Sequence, residues 1–353
     1  MTCTLDIYTD YLISSTGQTS ATGLSRLYDG AISHDQVTRL LANSYLESKD
    51  LWSKSKPLIR AAEQSKAADD FAVLIVDDSI LEKAHTDHNA MITTHWDHSE
   101  HRFVNGLNFV SLLYQLSQVA LPIAVTLIEK TVPEWDAKQL KHKFKSEFTK
   151  NEYLQQMLAV AQQQVHYRYL LADSWYASAD NMNYVLSLKH HFLFALESSR
   201  TVALSEMARS QGQFQTLDAL TFPDKGLLTV YLRSVKQAVL VAKQVFTNKD
   251  GSQGTLYLVS SDTSLDYEQL TTIYQRRWKV EEYHKSLKQN TSMGKSPTKT
   301  PDTQANHFFA SILAYIKLEA LKIKHEIGHF RIKAQLYAVG LKAMHQQLAL
   351  LSA

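Results

Sequence analysis

The sequence predicts an α/β protein, a mixed sheet flanked by helices, with a β-rich insertion and helical segments at both ends. Three observations carry this. Two apolar runs, residues 71–76 and 167–172, stop abruptly at aspartates, Asp77-Asp78 and Asp173. A short apolar run bounded by polar residues reads as a strand buried on both faces. Residues 198–262 are rich in β-branched and aromatic side chains, whereas residues 1–68 and those from 263 onward read as helical. Strands interleaved with helices suit a layered sheet architecture.

The elements follow in order. Residues 1–68 read as helices with short polar breaks. Leu24 and Leu27 give way to the turn Tyr28-Asp29-Gly30, and Ser33 then caps a helix carrying Val37, Leu40, Leu41 and Tyr45. Two short helices about a glycine turn fit a helix-turn-helix, and they fit a plain helical bundle as well. After the first strand, residues 103–116 and 121–129 form an expected antiparallel pair joined near Ser117-Gln118. A charged helix is expected over 136–164, then the second apolar strand, a helix from Ser178 and a strand at 191–196. Within the insertion, 227–232, 238–246 and 254–260 are strands, and Asn248-Lys-Asp-Gly251 supplies a hairpin turn. A long helix over 266–288 ends before Ser296-Pro-Thr-Lys-Thr-Pro301, and two more helices complete the chain. No internal repeat is found.

Composition narrows the class. Of 353 residues, 44% are hydrophobic and 20% charged, so a sizeable core is expected and wholesale disorder is excluded. The length suggests two or three units at roughly 150 residues each. A lone cysteine, Cys3, excludes an internal disulfide framework and a multi-thiolate zinc site, and it fits a reducing compartment. No run reaches about 18 apolar residues. The start, with Asp6 and Asp10, lacks the form of a signal peptide. A cytoplasmic protein without membrane contact is expected. Net charge is only +2, yet from Glu268 onward 13 Lys/Arg stand against 6 Asp/Glu. A basic final third suggests a polyanionic partner, although a solvated helix face has the same composition.

Two constellations carry chemistry. Carboxylates at the ends of neighbouring strands can converge on one point. An aspartate there also serves as turn former or helix cap, but the adjacent Asp77 and Asp78 repel and call for a cation. The second constellation lies in Tyr274-Gln-Arg-Arg-Trp-Lys-Val-Glu-Glu-Tyr-His-Lys-Ser-Leu-Lys288. Tyr274, Arg277, Glu281 and Lys288 fall within about 60° of one another on a helical wheel, with Lys285 on the same face. A solvated ladder of i,i+4 ion pairs is the alternative, each worth a few tenths of a kcal/mol. That ladder does not explain Tyr274 and Trp278 beside it.

The spacing Tyr-x2-Arg-x3-Glu-x6-Lys resembles the signature of one group of bacterial insertion-sequence transposases, DDE enzymes with a ribonuclease-H-like core. Residues 277–285 are similar to that group's Arg-Trp-x-Ile-Glu-Glu-Phe/Tyr-His-Lys. Val76-Asp-Asp-Ser79 resembles the first-aspartate motif and Asp173-Ser-Trp-Tyr176 the second. His95-Trp-Asp-His-Ser99 and residues 290–298 also resemble segments of these proteins, and the likeness covers roughly residues 70 to 325.

The resemblance implies a ribonuclease-H-like mixed sheet with Asp78, Asp173 and Glu281 as catalytic carboxylates and metal ligands. Asp78 is preferred to Asp77 because the family's acid directly precedes Thr or Ser. Two Mg2+ ions are implied, with Mn2+ as a substitute; hard ions need oxygen ligands, and three carboxylates hold both. Tyr274, Arg277 and Lys288 are implied as contacts to DNA phosphates, joined by Lys285. The implied partner is double-stranded DNA, both the terminal inverted repeats and the target, bound by a homodimer. The implied reaction is first-strand hydrolysis, hairpin formation, hairpin opening and strand transfer. The insertion departs from some relatives by having no Trp, offering Phe214, Phe222, Tyr231 and Phe246.

The expected divisions are a DNA-binding region at 1–68, core at 69–197, insertion at 198–262, core again at 263–300 and a tail at 301–353. His85, His88, His95, His98 and His101 have a spacing that zinc can use. Phosphate contact fits better beside a DNA path, with His98 the first candidate. A catalytically inactive, domesticated DNA-binding relative is the main alternative. A phosphoryl-transfer receiver domain is the other, and it does not need an antiparallel pair at 103–129.

Overall fold

The computed structural model describes residues 1–97, 100–137, 140–248 and 250–352. Its first segment is helical: α1 (Leu5–Ser14), α2 (Ala21–Leu27), α3 (His34–Asn43) and α4 (Ser48–Ser65). Thr4, Ser20 and Ser33 cap the first three by accepting the backbone N–H groups of Ile7, Gly23 and Gln36. This satisfies donors that a helix start leaves orphaned. The expected turn before α3 is present, with Asp29 and Gly30 at φ of 50° and 79°.

Next come β1 (Val73–Glu82), β2 (Ile92–Asp97), β3 (Arg102–Leu116), β4 (Val119–Leu127), β5 (Lys130–Asp136) and β6 (Lys141–Ser146). They are followed by α5 (Lys150–Gln164), β7 (Tyr169–Ala172), α6 (Ala179–Ser187) and β8 (His191–Leu196). The β-rich segment holds β9 (Thr201–Ala203), α7 (Glu206–Ser210), β10 (Gln215–Thr216), β11 (Leu227–Leu232), β12 (Val239–Thr247) and β13 (Gln253–Ser260). The chain closes with α8 (Tyr267–Gln275), α9 (Lys279–Asn290), α10 (Pro301–His325) and α11 (His329–Ser352).

Among the described residues, one large sheet runs in the order β10-β9-β11-β12-β13-β8-β7-β1-β3-β2, and β4 also pairs with β3. β1 is antiparallel to β3 and parallel to β7, which is parallel to β8. β13 joins β8 antiparallel, so the β-rich segment continues the sheet. This is the ribonuclease-H-like mixed sheet flanked by helices. Val73, Leu74 and Ile75 of β1 are completely buried, each contributing about 1.5–3 kcal/mol of hydrophobic stabilisation.

Three expectations are corrected. The charged helix expected over 136–164 is helical only from Lys150; residues 130–146 form the β5–β6 hairpin. The run Lys141-His-Lys-Phe-Lys145 has period two, and Lys143 and Lys145 bind Glu134 across the hairpin. The first strand runs on to Glu82, so Asp77 and Asp78 sit inside it, opposite Ser111 and Val110 of β3. They lie just past the end of the short parallel ladder with β7, which spans only Val73–Ile75 of β1. The long helix over 266–288 is two helices joined by a 3-10 turn at Arg276–Trp278. β2, polar in composition, is an addition to the expected elements.

α10 packs between two cores. Ala310, Ala314 and Leu318 join Tyr8, Leu12, Leu24 and Val37 of the amino-terminal helices. Phe308, Ile312 and Tyr315 join the main core on the sheet.

Candidate active site

Neighbouring residues on a strand point to opposite faces, and β1 uses this to send its two acids in different directions. Asp77 turns toward α9, where its Oδ2 lies 3.7 Å from His284 Nδ1. Asp77, Glu281 and His284 each offer a ligand atom within 4.8 Å of the others. Asp78 turns toward α5: its Oδ2 binds Lys150 Nζ at 2.5 Å, and its Oδ1 accepts the Tyr176 hydroxyl at 3.1 Å. Asp173, directly after β7, caps the 3-10 turn Ser174–Tyr176 by accepting the Trp175 N–H at 3.1 Å.

All four acids line one cleft of about 780 Å³, which also takes in His95, Trp96, Lys130, Lys150, Trp175, Lys285 and Lys288. Asp78, Asp173 and Glu281 come from β1, the end of β7 and α9, and the fold brings all three to this cleft. Glu281 is half-buried and receives Arg277 Nη1 at 3.4 Å. Lys285 and Lys288 are exposed on the following turns. Arg277 and Tyr274 stand behind the cleft wall. Tyr274 is buried, its hydroxyl donating to the Ala172 carbonyl at 3.3 Å, and its ring lies 5.8 Å from the Arg277 guanidinium. His98 lies outside the described residues.

Crowding of carboxylates shows in their proton affinities. Burial pushes Asp77 up to about 8, and Glu281, Asp173 and Asp78 add to it, against Arg277. Burial raises Asp173 as well, with Asp78 adding and the turn N–H groups and Arg277 opposing. On the facing wall, burial lowers His95 to about 4, helped by Lys130 and Lys150. His284 is lowered to about 3 by burial and then by Lys288, so it is a neutral imidazole. Its Nε2 is buried without a hydrogen-bond partner among the described residues.

This donor set fits a hard divalent cation. Asp77 and Asp173, buried beside further carboxylates, hold protons above their ordinary affinity and are short of positive charge, and oxygen-rich sites of this kind select magnesium-like ions. Asp77, Asp78, Asp173 and Glu281 are the residues placed to hold such ions. His284 and Lys130 escaped the sequence reading, and Lys150, read there as part of a solvated, lysine-rich helix face able to touch phosphates, was not placed at Asp78. Only His284 left a signal, standing three residues after Glu281 on one helix face.

A ribonuclease-H-like sheet with an acidic cleft built from the middle of β1, the end of β7 and α9 fits a nuclease-type enzyme. A family model described as "DDE superfamily endonuclease" matches residues 1–215, and one described as "Transposase DDE domain" matches residues 149–317. The chain belongs to the DDE superfamily of endonucleases, and the match to the transposase domain supports a transposase function on DNA. No curated protein matches it.

Proposed function

We propose that the chain is a transposase of the Tyr-Arg-Glu-Lys group that excises an insertion sequence at its ends and joins it to target DNA through a hairpin. One observation carries the reading: Asp78, Asp173 and Glu281 line a single cleft whose α9 wall continues into Lys285 and Lys288. Two Mg2+ or Mn2+ ions held by these acids supply charge neutralisation at the phosphodiester and activation of the attacking oxygen. The chain's own residues do the rest. Lys285 and Lys288 hold flanking phosphates as point charges, and Arg277, packed behind the cleft wall against Tyr274, orients Glu281. The turn cap fixes Asp173 before any ligand arrives. Asp77 is within ligand reach of Glu281 and joins the acid set.

In the proposed reaction water adds across a phosphodiester at the element's end and leaves a 3′-hydroxyl. That hydroxyl then attacks the opposite strand, displacing its 3′-oxygen and closing a hairpin. The helices of residues 1–68 and the basic tail from 301 grip the terminal repeats, two copies of the chain holding paired ends. The reaction takes place in the bacterial cytoplasm, at the nucleoid. Among the described residues no helix is long and apolar enough to cross a membrane.

The test is cleavage of a duplex carrying the element's end, in Mg2+ or Mn2+. A nick at the element boundary, lost in Asp173→Ala, supports the reading. Tight end binding with no cutting under either ion establishes the inactive, DNA-occupying alternative instead.

A further inference from the structure

Lys150 occupies a position that helix energetics disfavours. It is the first residue of α5, where the partial positive charge of the helix start opposes a cation. Thr149 and Glu152 hold that start in a capping box, so the backbone is fixed while the long side chain is free to choose its contact. It reaches across 72 residues of sequence to Asp78, and its side chain is only 24% exposed. Its ammonium also lies 5.2 Å from the centre of the Trp175 ring, beside the residue that follows Asp173 and Ser174. One cation therefore lies at one of the four clustered acids, inside the cleft.

We propose that Lys150 is the cluster's internal counter-ion. In the metal-free chain its ammonium sits where a divalent ion meets Asp78; when the ion enters, the side chain swings into the cleft and takes a DNA phosphate. This rests on the metal-dependent reading of the site. Because the ammonium and the ion compete for the same carboxylate, the lysine sets a threshold for loading, and DNA, by offering it a phosphate, lowers that threshold.

The experiment is a Mn2+ titration of the full chain without DNA, following electron paramagnetic resonance of free Mn2+ and tryptophan emission. Lys150→Met removes the competitor, so its Mn2+ affinity is expected to rise about tenfold, whereas Lys150→Arg keeps the wild-type value. The part of the wild-type emission change that comes from the ammonium leaving Trp175 is expected to be lost in both Lys150→Met and Trp175→Phe, leaving only the direct quenching by Mn2+ of the remaining cleft tryptophan, Trp96 in Trp175→Phe. The salt dependence of end-DNA binding in Mn2+ is expected to lose about one unit of slope in Lys150→Met. Unchanged or weaker Mn2+ binding by Lys150→Met overturns the counter-ion role, and an unchanged salt slope overturns the phosphate contact. A wild-type chain that takes up no Mn2+ overturns the metal reading itself, a result distinct from both. Melting curves with and without Mn2+ guard against a folding defect: a folded Lys150→Met gains more from the ion than the wild type does.

Discussion

Asp77→Asn isolates the charge conflict at the centre of the cleft. The substitution keeps the side chain's shape and the Oδ1 that accepts the Asp78 N–H at 2.9 Å, and it removes the charge. Asp77 is raised from 3.8 to about 8, by burial first and then by Glu281, Asp173 and Asp78. Its folded-state value lies above the unfolded one, so the native chain binds this proton more tightly. The resulting stability is complete below the unfolded value of 3.8 and is lost as pH rises through about 8. The slope is about 1.4 kcal/mol per pH unit. Between about pH 5 and about pH 8 the metal-free wild type therefore loses roughly 4 kcal/mol that the variant retains.

At roughly 2 °C per kcal/mol for a chain of this size, the variant's melting temperature gains about 8 °C on the wild type over that interval. Scanning calorimetry in EDTA at the two ends of the range reads it directly. In Mn2+ the ranking reverses, because ligation expels the proton from Asp77 and Asn is a poor replacement. A melting difference that stays constant with pH refutes the argument, since it means Asp77 is ionised throughout.

Asp78→Ala, Asp173→Ala and Glu281→Ala are each expected to abolish cleavage while end binding in gel-shift assays survives; cutting by any of them removes that residue from the catalytic set. Lys288→Ala should reduce the salt dependence of end binding by about one unit of slope, read from affinities across a salt series. Leu318→Ala empties a site that is completely buried between α10 and the amino-terminal helices. It should cost about 2–5 kcal/mol, lowering the melting temperature with Mn2+ affinity unchanged.

How far the sequence alone led depended on whether a feature was local. The runs at 71–76 and 167–172 were legible because burial on both faces leaves an uninterrupted apolar string. The α9 face was legible because Glu281, Lys285 and Lys288 repeat at helical spacing, with Arg277 one turn earlier in the 3-10 segment. The β5–β6 hairpin was misread because lysine-rich segments suit an exposed helix, and only the cross-strand pairing with Glu134 shows why the alternation matters. β2 stayed hidden because Thr93, Thr94 and His95 lack the apolar alternation of a half-buried strand. The pairing of Lys150 with Asp78 was invisible for another reason: the two are 72 residues apart and meet only after the chain has folded. The choice between the adjacent acids rested on a motif, whereas the structure shows the two doing different things, Asp77 facing Glu281 and Asp78 facing Lys150.

α10 has a practical consequence for anyone dissecting this protein. Its Tyr315 hydroxyl donates to the Ala120 carbonyl and its Phe308 ring packs 4.9 Å from that of Phe109, while the opposite flank carries Ala310, Ala314 and Leu318 against Tyr8 and Leu12. A recombinant fragment beginning at residue 69 strips the cover from that flank and leaves a strip of naked hydrocarbon in water. Such a piece is expected to clump on expression. Separating the end-gripping helices from the cutting machinery is therefore better attempted by point substitutions than by scissors.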